Sequence, residues 1–178
     1  MFETSRLYIR LMEGRDIEFV RRLHNEESTL NKLTDPFHVS QEEQELWFNS
    51  LSKSRKSRRY VLIEKESDEI CGIIRIDDLD LTNRSATVGA DVDLRFRRQG
   101  LASEAYERII NYLFNDLGLH RLQLVTLKTN DIALKLYQKL GFQQEGVIRE
   151  SIYRNGEFND LILMGLLQSE WLKTKVTE

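Results

Sequence analysis

The sequence predicts an α/β (α+β) fold in a single domain over residues 1–178, with a mixed, mainly antiparallel central sheet and flanking helices. Three observations lead there. Short β-rich runs of alternating polarity fill the middle of the chain. Apolar residues at three- and four-residue spacing take over after Gly100, and Asn155-Gly156 sits between two apolar runs near the C-terminus. A length of 178 residues with 40% hydrophobic content supports one substantial core and is short for two.

In order along the chain, Leu7, Ile9 and Leu11 alternate with Tyr8, Arg10 and Met12 as a half-buried first strand. Gly14 supplies a turn and Asp16 an N-cap for a helix marked by Ile17, Val20 and Leu23 or His24. Residues 25–39 read as irregular, with Asp35-Pro36 as the breaker. Ser40 and Glu43 form a capping box, so Leu46, Trp47 and Leu51 are expected on the buried face of the next helix. A basic loop follows, carrying Lys53, Arg55, Lys56, Arg58 and Arg59. Residues 60–63 and 70–76 are strands joined by a charged turn through Lys65, Ser67 and Asp68, and Ala86, Val88, Ala90 and Val92 alternate in a third. Three antiparallel strands are the simplest arrangement. Leu101, Ala105, Ile109, Tyr112 and Leu113 then mark a helix running toward Gly118, and residues 122–127 a strand. Ile132, Leu136 and Leu140 share one face of a helix opened by Asn130 or Asp131 and stopped by Gly141. Residues 146–153 and 158–166 flank Asn155-Gly156 as a hairpin, because a type I′ turn needs positive φ at both central residues.

Composition narrows the function. A net charge of −3 from 26 basic and 29 acidic side chains gives no overall field for nucleic acid or a membrane surface, so any anion site is local. No run approaches the roughly 20 apolar residues that span a bilayer, and no apolar signal segment opens the chain. The single cysteine, Cys71, has no internal disulfide partner and reads as a small buried hydrophobe; a reducing cytoplasm is the expected location. His24, His38 and His120 lack metal-ligand spacing, and no metal is expected.

The segment that carries chemistry is Arg95-Phe96-Arg97-Arg98-Gln99-Gly100-Leu101-Ala102, between a strand and a helix. The first turn of a helix has unpaired N–H groups and partial positive charge, glycine lets a ligand approach the backbone, and arginine adds a charge-assisted fork. The mechanics specify an anion site. They also allow a plain chain break before a surface helix, with solvated arginines.

Arg97-Arg98-Gln99-Gly100-Leu101-Ala102 resembles the acyl-CoA pyrophosphate loop, R/Q-x-x-G-x-G/A, of the GNAT superfamily. The resemblance continues in the manner of its RimJ/RimL-like branch. Thr4-Ser5-Arg6-Leu7-Tyr8-Ile9-Arg10 is similar to the opening strand, and Leu117-Gly118-Leu119-His120-Arg121-Leu122 to a later link. Residues 130–137 with Leu140-Gly141-Phe142, and Tyr153-Arg154-Asn155-Gly156 with Asp160 and Met164, resemble the late helix and closing hairpin.

The resemblance implies a GNAT-like domain in which acetyl-CoA, as co-substrate, lies between two splayed parallel strands and an amine attacks its thioester directly. Backbone groups of Gln99, Gly100, Leu101 and Ala102, beside Arg97 and Arg98, would hold the pyrophosphate, and main-chain groups of Asp91, Val92 and Asp93 the pantetheine and thioester carbonyl. Asn130 would bond the cofactor arm, and Tyr137 would protonate the departing thiolate, its unperturbed pKa lying near 10. Read without the motif, Tyr137 is a core-edge aromatic and Asn130 a helix cap.

The general base is open. Where relatives carry A-E-x-G this chain has Ala86-Thr87-Val88-Gly89, which leaves Asp91, or Asp77 and Asp78, or solvent. Phe37, His38, Trp47 and Phe48 fall where the resemblance implies an acceptor pocket. The acceptor is a small-molecule primary amine or a peptide N-terminus. A polyamine would want Glu26, Glu27, Asp35, Glu42, Glu43 and Glu45 to converge, whereas a nucleotide-linked amino sugar would use the 53–59 basic cluster, which otherwise is a solvated loop. A homodimer is left open. The second reading is a non-catalytic acyl-CoA-binding or sensing module, to which loss of the strand glutamate lends weight and retention of Tyr137 does not.

Overall fold

A computed structural model describes residues 1–35, 37–154 and 156–176. Eight strands form one sheet: β1 (Phe2–Glu3), β2 (Leu7–Leu11), β3 (Arg58–Glu64), β4 (Glu69–Asp80), β5 (Ser85–Val92), β6 (Arg121–Leu127), β7 (Gln143–Arg154) and β8 (Glu157–Leu167). Their spatial order is β1-β2-β3-β4-β5-β6-β8-β7. Every neighbouring pair is antiparallel except β5 and β6, which run parallel. The expected three-stranded meander is β3-β4-β5.

The period-two alternation of the strands decides which helix packs where. Ile74 and Ile76 of β4 join Leu7, Ile9, Leu62, Ala86 and Val88 in a core covered by α4 (Leu101–Asn111) through Ala105, Tyr106 and Ile109. Val61 and Ile73 face the other way and meet Val20 and Leu23 of α1 (Ile17–Asn25). The remaining helices are α2 (Glu27–Leu30), α3 (Gln41–Lys53), α5 (Asp131–Lys139) and α6 (Gln168–Val176). Among the described residues no helix is long and apolar enough to cross a membrane.

Several local expectations are corrected. Asp16 does not cap α1 with its side chain; at 1% exposure it instead accepts two N–H groups of Arg10 and the backbone N–H of Glu13. The stretch expected to be irregular contains α2, whose cap is Glu26, accepting from the N–H groups of Ser28 and Thr29. A glutamate cap is not among the usual signals. The Ser40–Glu43 capping box is present, but Leu46 is 71% exposed and the polar Gln44 is the buried residue of α3. Ile132 of α5 is likewise exposed, while Tyr137 and Leu140 are buried. Pro36 and Asn155 lie outside the described residues, although Gly156 has φ +85° and Arg154 pairs with Glu157, as a two-residue turn requires.

One carboxylate ties the sheet to α4. Glu104 in the first turn of α4 accepts from Ser5 Oγ at 2.9 Å, Arg6 N at 2.8 Å and Arg6 Nε at 2.8 Å. Burial opposes its charge, yet the bonds from Thr4, Ser5 and Arg6 hold its pKa at about 2 instead of the ordinary 4.5. Because the folded pKa is depressed, this stabilisation is complete above pH 4.5 and is lost as pH falls toward 2. Glu104→Gln should therefore lower the urea midpoint at pH 7, and the deficit should shrink on acidification. A pH-independent deficit would assign the residue to packing alone.

Candidate active site

β5 and β6 pair only from Ser85–Thr87 to Arg121–Gln123, although the strands run on to Val92 and Leu127. Beyond that point they part. A cavity of about 840 Å³ occupies the divergence, with Val88, Ala90 and Val92 on one wall and Val125 and Thr126 on the other. This is the splayed parallel pair that the resemblance implies.

Backbone alternation assigns the groups that face the gap. Asp93 donates its N–H to Cys71 of β4 at 2.9 Å, so odd-numbered residues of β5 turn their backbone groups toward β4. Those of Ala90 and Val92 turn to the open edge. Of the expected Asp91, Val92 and Asp93, the first two line the cavity together with Ala90 and Asp93 does not, and the Val92 carbonyl accepts from Arg97 Nε.

The start of α4 forms part of the cavity lining. Gly100 has φ +82°, a left-handed conformation favouring glycine, and offers no side-chain cap. Leu101, Ala102 and Ser103 follow along the cavity wall, where first-turn N–H groups lack helical partners. Arg98, also at positive φ, lines the same cavity. Gln99 does not: its carbonyl accepts from Arg6 Nη1 at 2.8 Å and its amide donates to the Arg95 carbonyl at 3.1 Å. The donor chemistry of this end fits a pyrophosphate.

Arg97 corrects the expectation of a guanidinium fork on that phosphate. Its Nε donates to the Val92 carbonyl at 2.8 Å, Nη1 to Ser28 Oγ, and Nη2 to Thr29 Oγ1 at 2.7 Å and the Glu26 carboxylate at 3.2 Å. Burial works against the Glu26 charge, but bonds from Ser28 and Thr29 and the charge of Arg97 hold its pKa at about 2. Arg97 is therefore the bolt that fixes α2 against the loop. Arg154 of β7 secures the next stretch, donating to the Leu33 and Thr34 carbonyls at 2.9 and 3.0 Å. Thr29, Lys32, Leu33 and Thr34 of this secured stretch thereby line the cavity beside the loop. Phe37, His38, Trp47 and Phe48 are not on it: Phe37 is 74% exposed, and Trp47 and Phe48 pack beside α1.

At the deep end, Tyr137 is 8% exposed, with its ring edge-on to Tyr106 and Phe142. The Tyr106 hydroxyl donates toward the Tyr137 oxygen across 3.5 Å, a long contact. Burial raises the pKa of both phenols, so both are protonated at neutral pH. Asn130 caps α5, accepting from Ala133 N at 3.4 Å, and its edge opens on the cavity.

Arg75 and Tyr106 are cavity residues that sequence reasoning missed. A charged residue inside Ile73-Ile74-Arg75-Ile76 was a visible signal; Tyr106 resembled any other core aromatic. Arg75 pairs with Asp91 at 2.5 Å. Of the other base candidates, Asp77 is bound by Arg59 at 2.8 Å and Asp78 accepts from Thr87 Oγ1 at 3.2 Å, and neither lines the cavity. None of the glutamates in residues 26–45 lines it, nor does the 53–59 basic cluster. Among the described residues no group of three or more His, Cys, Asp or Glu side chains is placed to hold a metal.

Comparison with known proteins gives the same picture. Residues 6–143 match the acetyltransferase (GNAT) domain family. Uncharacterized N-acetyltransferase p20 of Bacillus licheniformis is 32% identical over 171 residues, 94% of this chain and 96% of that one. L-amino acid N-acetyltransferase AaaT of Escherichia coli K12 is 31% identical over 163 residues, 90% of this chain and 97% of that one. In structure, the spermidine N-acetyltransferase of Vibrio cholerae in complex with CoA and spermine matches with a TM-score of 0.88 at 27% identity, covering 95% of this chain and 99% of that one.

Proposed function

Since the chain belongs to the acetyltransferase (GNAT) family and is an acetyl-CoA-dependent N-acetyltransferase, we propose how its own residues divide the work. The first turn of α4 and Arg98 hold the pyrophosphate, and the open edge of β5 at Ala90 and Val92 aligns the pantetheine arm and thioester carbonyl, with Asn130 on the far side. An amine entering past Thr29, Lys32 and Thr34 attacks the thioester in a ternary complex. The new N–C bond forms, the C–S bond breaks, and the sulfur takes a proton from Tyr137. Tyr106 donates toward the phenolate left behind, the surplus proton of the amine passes to Asp91 and on to solvent, and solvent returns a proton to Tyr137.

The observation that carries this reading is the arrangement of one cavity with an uncapped helix start at one end and a buried, protonated Tyr137 at the other. The full-length motif spacing supports a RimJ/RimL-like placement within the family. Relatives are named for spermidine and for L-amino acids, so family likeness alone does not choose the acceptor. Release of free CoA thiol from acetyl-CoA in the presence of a panel of primary amines tests the assignment. Turnover on at least one amine is expected; tight acetyl-CoA binding with no turnover on any would overturn it.

A further inference from the structure

The floor of the cavity between β4 and β5 carries a pair of opposite charges that no step above fully uses. Arg75 stands directly opposite Gly89 in the β4–β5 register, and Asp91 lies two residues further along the same face of β5. The guanidinium lies flat over Gly89: a Cβ there would come within 2.5 to 2.7 Å of Nε, Cζ and Nη2. The missing side chain of Gly89 is what lets Arg75 cross β5 toward the gap. There its Nη1 meets Asp91 at 2.5 Å, and the two side chains remain 34% and 20% exposed, both on the cavity.

An ion pair serving only the sheet would have no need of an open cavity face. A guanidinium has five N–H donors in a fixed fork, and Asp91 takes one of them. Among the described residues Asp91 is the one carboxylate on the cavity, which Lys32, Arg75, Arg97 and Arg98 also line. Arg97 is committed to Glu26, and Lys32 lies within the field of Arg97 and Arg98, which leaves Arg75 and Asp91 as the charged groups beside Tyr137. A ligand that brings only positive charges finds there a single carboxylate, already paired with a guanidinium. A ligand that brings one charge of each sign finds a complement for both.

We propose that the acceptor is a short zwitterionic amine, carrying a carboxylate or phosphate a few bonds from its primary amine, seated with its acid group on Arg75 and its nitrogen toward Asp91. The spacing follows from the pair itself: charges 2.5 Å apart in the protein demand charges close together in the ligand, as when one or two carbons separate amine and acid. The nitrogen then rests beside the carboxylate proposed to take its proton, at the same end of the cavity as Tyr137. Thr87, on the same face, is neutral and donates to Asp78, which does not line the cavity as Asp91 does.

This inference rests on the transferase reading, and the experiment separates the two. Thiol release at saturating acetyl-CoA is compared for amino acids against their amides, for O-phosphoethanolamine against ethanolamine, and for spermidine. At least one anionic member should exceed its uncharged partner and spermidine by about tenfold or more in kcat/KM, since a charge-assisted bond to the guanidinium is lost in the partner. The amino acid and phosphate arms decide which acid group is used. Arg75→Gln should bring the ratio of acid to amide near one and raise the relative use of spermidine, because Asp91 is then unpaired. Arg75→Lys, which keeps charge without the fork, should restore part of the ratio. Acetyl-CoA affinity of each variant, read by calorimetry, reports whether it is folded. Preference of the wild type for spermidine or the amide, or a ratio unchanged in a folded Arg75→Gln protein, overturns the zwitterion and leaves the transferase standing. Absence of turnover on every member, with acetyl-CoA bound, overturns both.

Discussion

Tyr137→Phe should lower kcat by about 10²- to 10⁴-fold while leaving KM for acetyl-CoA nearly unchanged, the range expected for loss of one positioned proton donor. The substitution is mild for the fold. The ring keeps its contacts with Tyr106 and Phe142, and among the described residues the hydroxyl meets the Tyr106 hydroxyl across a long 3.5 Å. Burial raises the phenol's pKa, as does the Asp91 charge, against the opposing effects of the Tyr106 bond and Arg75. The alkaline loss of activity expected from this group therefore falls above pH 10, and neutral assays see the protonated acid throughout. Stopped-flow thiol release on the wild type and variant, with acetyl-CoA affinity measured in parallel, checks the assignment. An unchanged kcat would remove Tyr137 from the chemistry and leave it a packing residue.

The contrast between Tyr137 and Arg97 indicates what a sequence can disclose about such a site. Tyr137 was legible only through the resemblance of residues 130–137 and 140–142 to a family motif, since apolar spacing alone put Ile132, Leu136 and Leu140 on the buried face and made the ring a core-edge aromatic. The direction of Arg97 was not legible. Local spacing set it in a basic loop, but its partners Glu26, Ser28 and Thr29 are about 70 residues away and belong to a four-residue helix with no apolar period of its own. The strands were readable for a related reason: alternation is a local property, whereas the parting of β5 from β6 depends on two segments separated by α4. Leu46 was misassigned to a buried face because apolar spacing was counted without Gln44, whose burial is a tertiary outcome. The site therefore emerged in halves. The stretch proposed to hold the cofactor is local in sequence, whereas the cavity residues Thr29, Lys32 and Arg75 come from distant segments.

That division makes the second large effect specific to the donor. Gly100→Val is expected to raise the Kd for acetyl-CoA by about tenfold to a hundredfold, while the acceptor preference of the residual activity stays as in the wild type. The strain has a definite source: at φ +82° a β-branched residue is costly by about 1–3 kcal/mol, and relieving it means turning the peptide that opens α4. Space is not the obstacle, since the nearest atom to an added Cβ is Arg6 Nη2 at 3.4 Å. Rotation of that peptide would instead misaim the first-turn N–H groups of Leu101 and Ala102, whose value to an anion depends on their shared direction. The acceptor wall, bolted by Arg97 to Val92 and by Arg154 to Leu33, does not pass through Gly100 and should keep its shape. Gly100→Ala provides the graded control, with the same sign of φ to satisfy and a smaller steric demand. Isothermal titration with CoA orders the three proteins, glycine tightest and valine weakest. Equal affinities across the series would place the pyrophosphate elsewhere than at the start of α4.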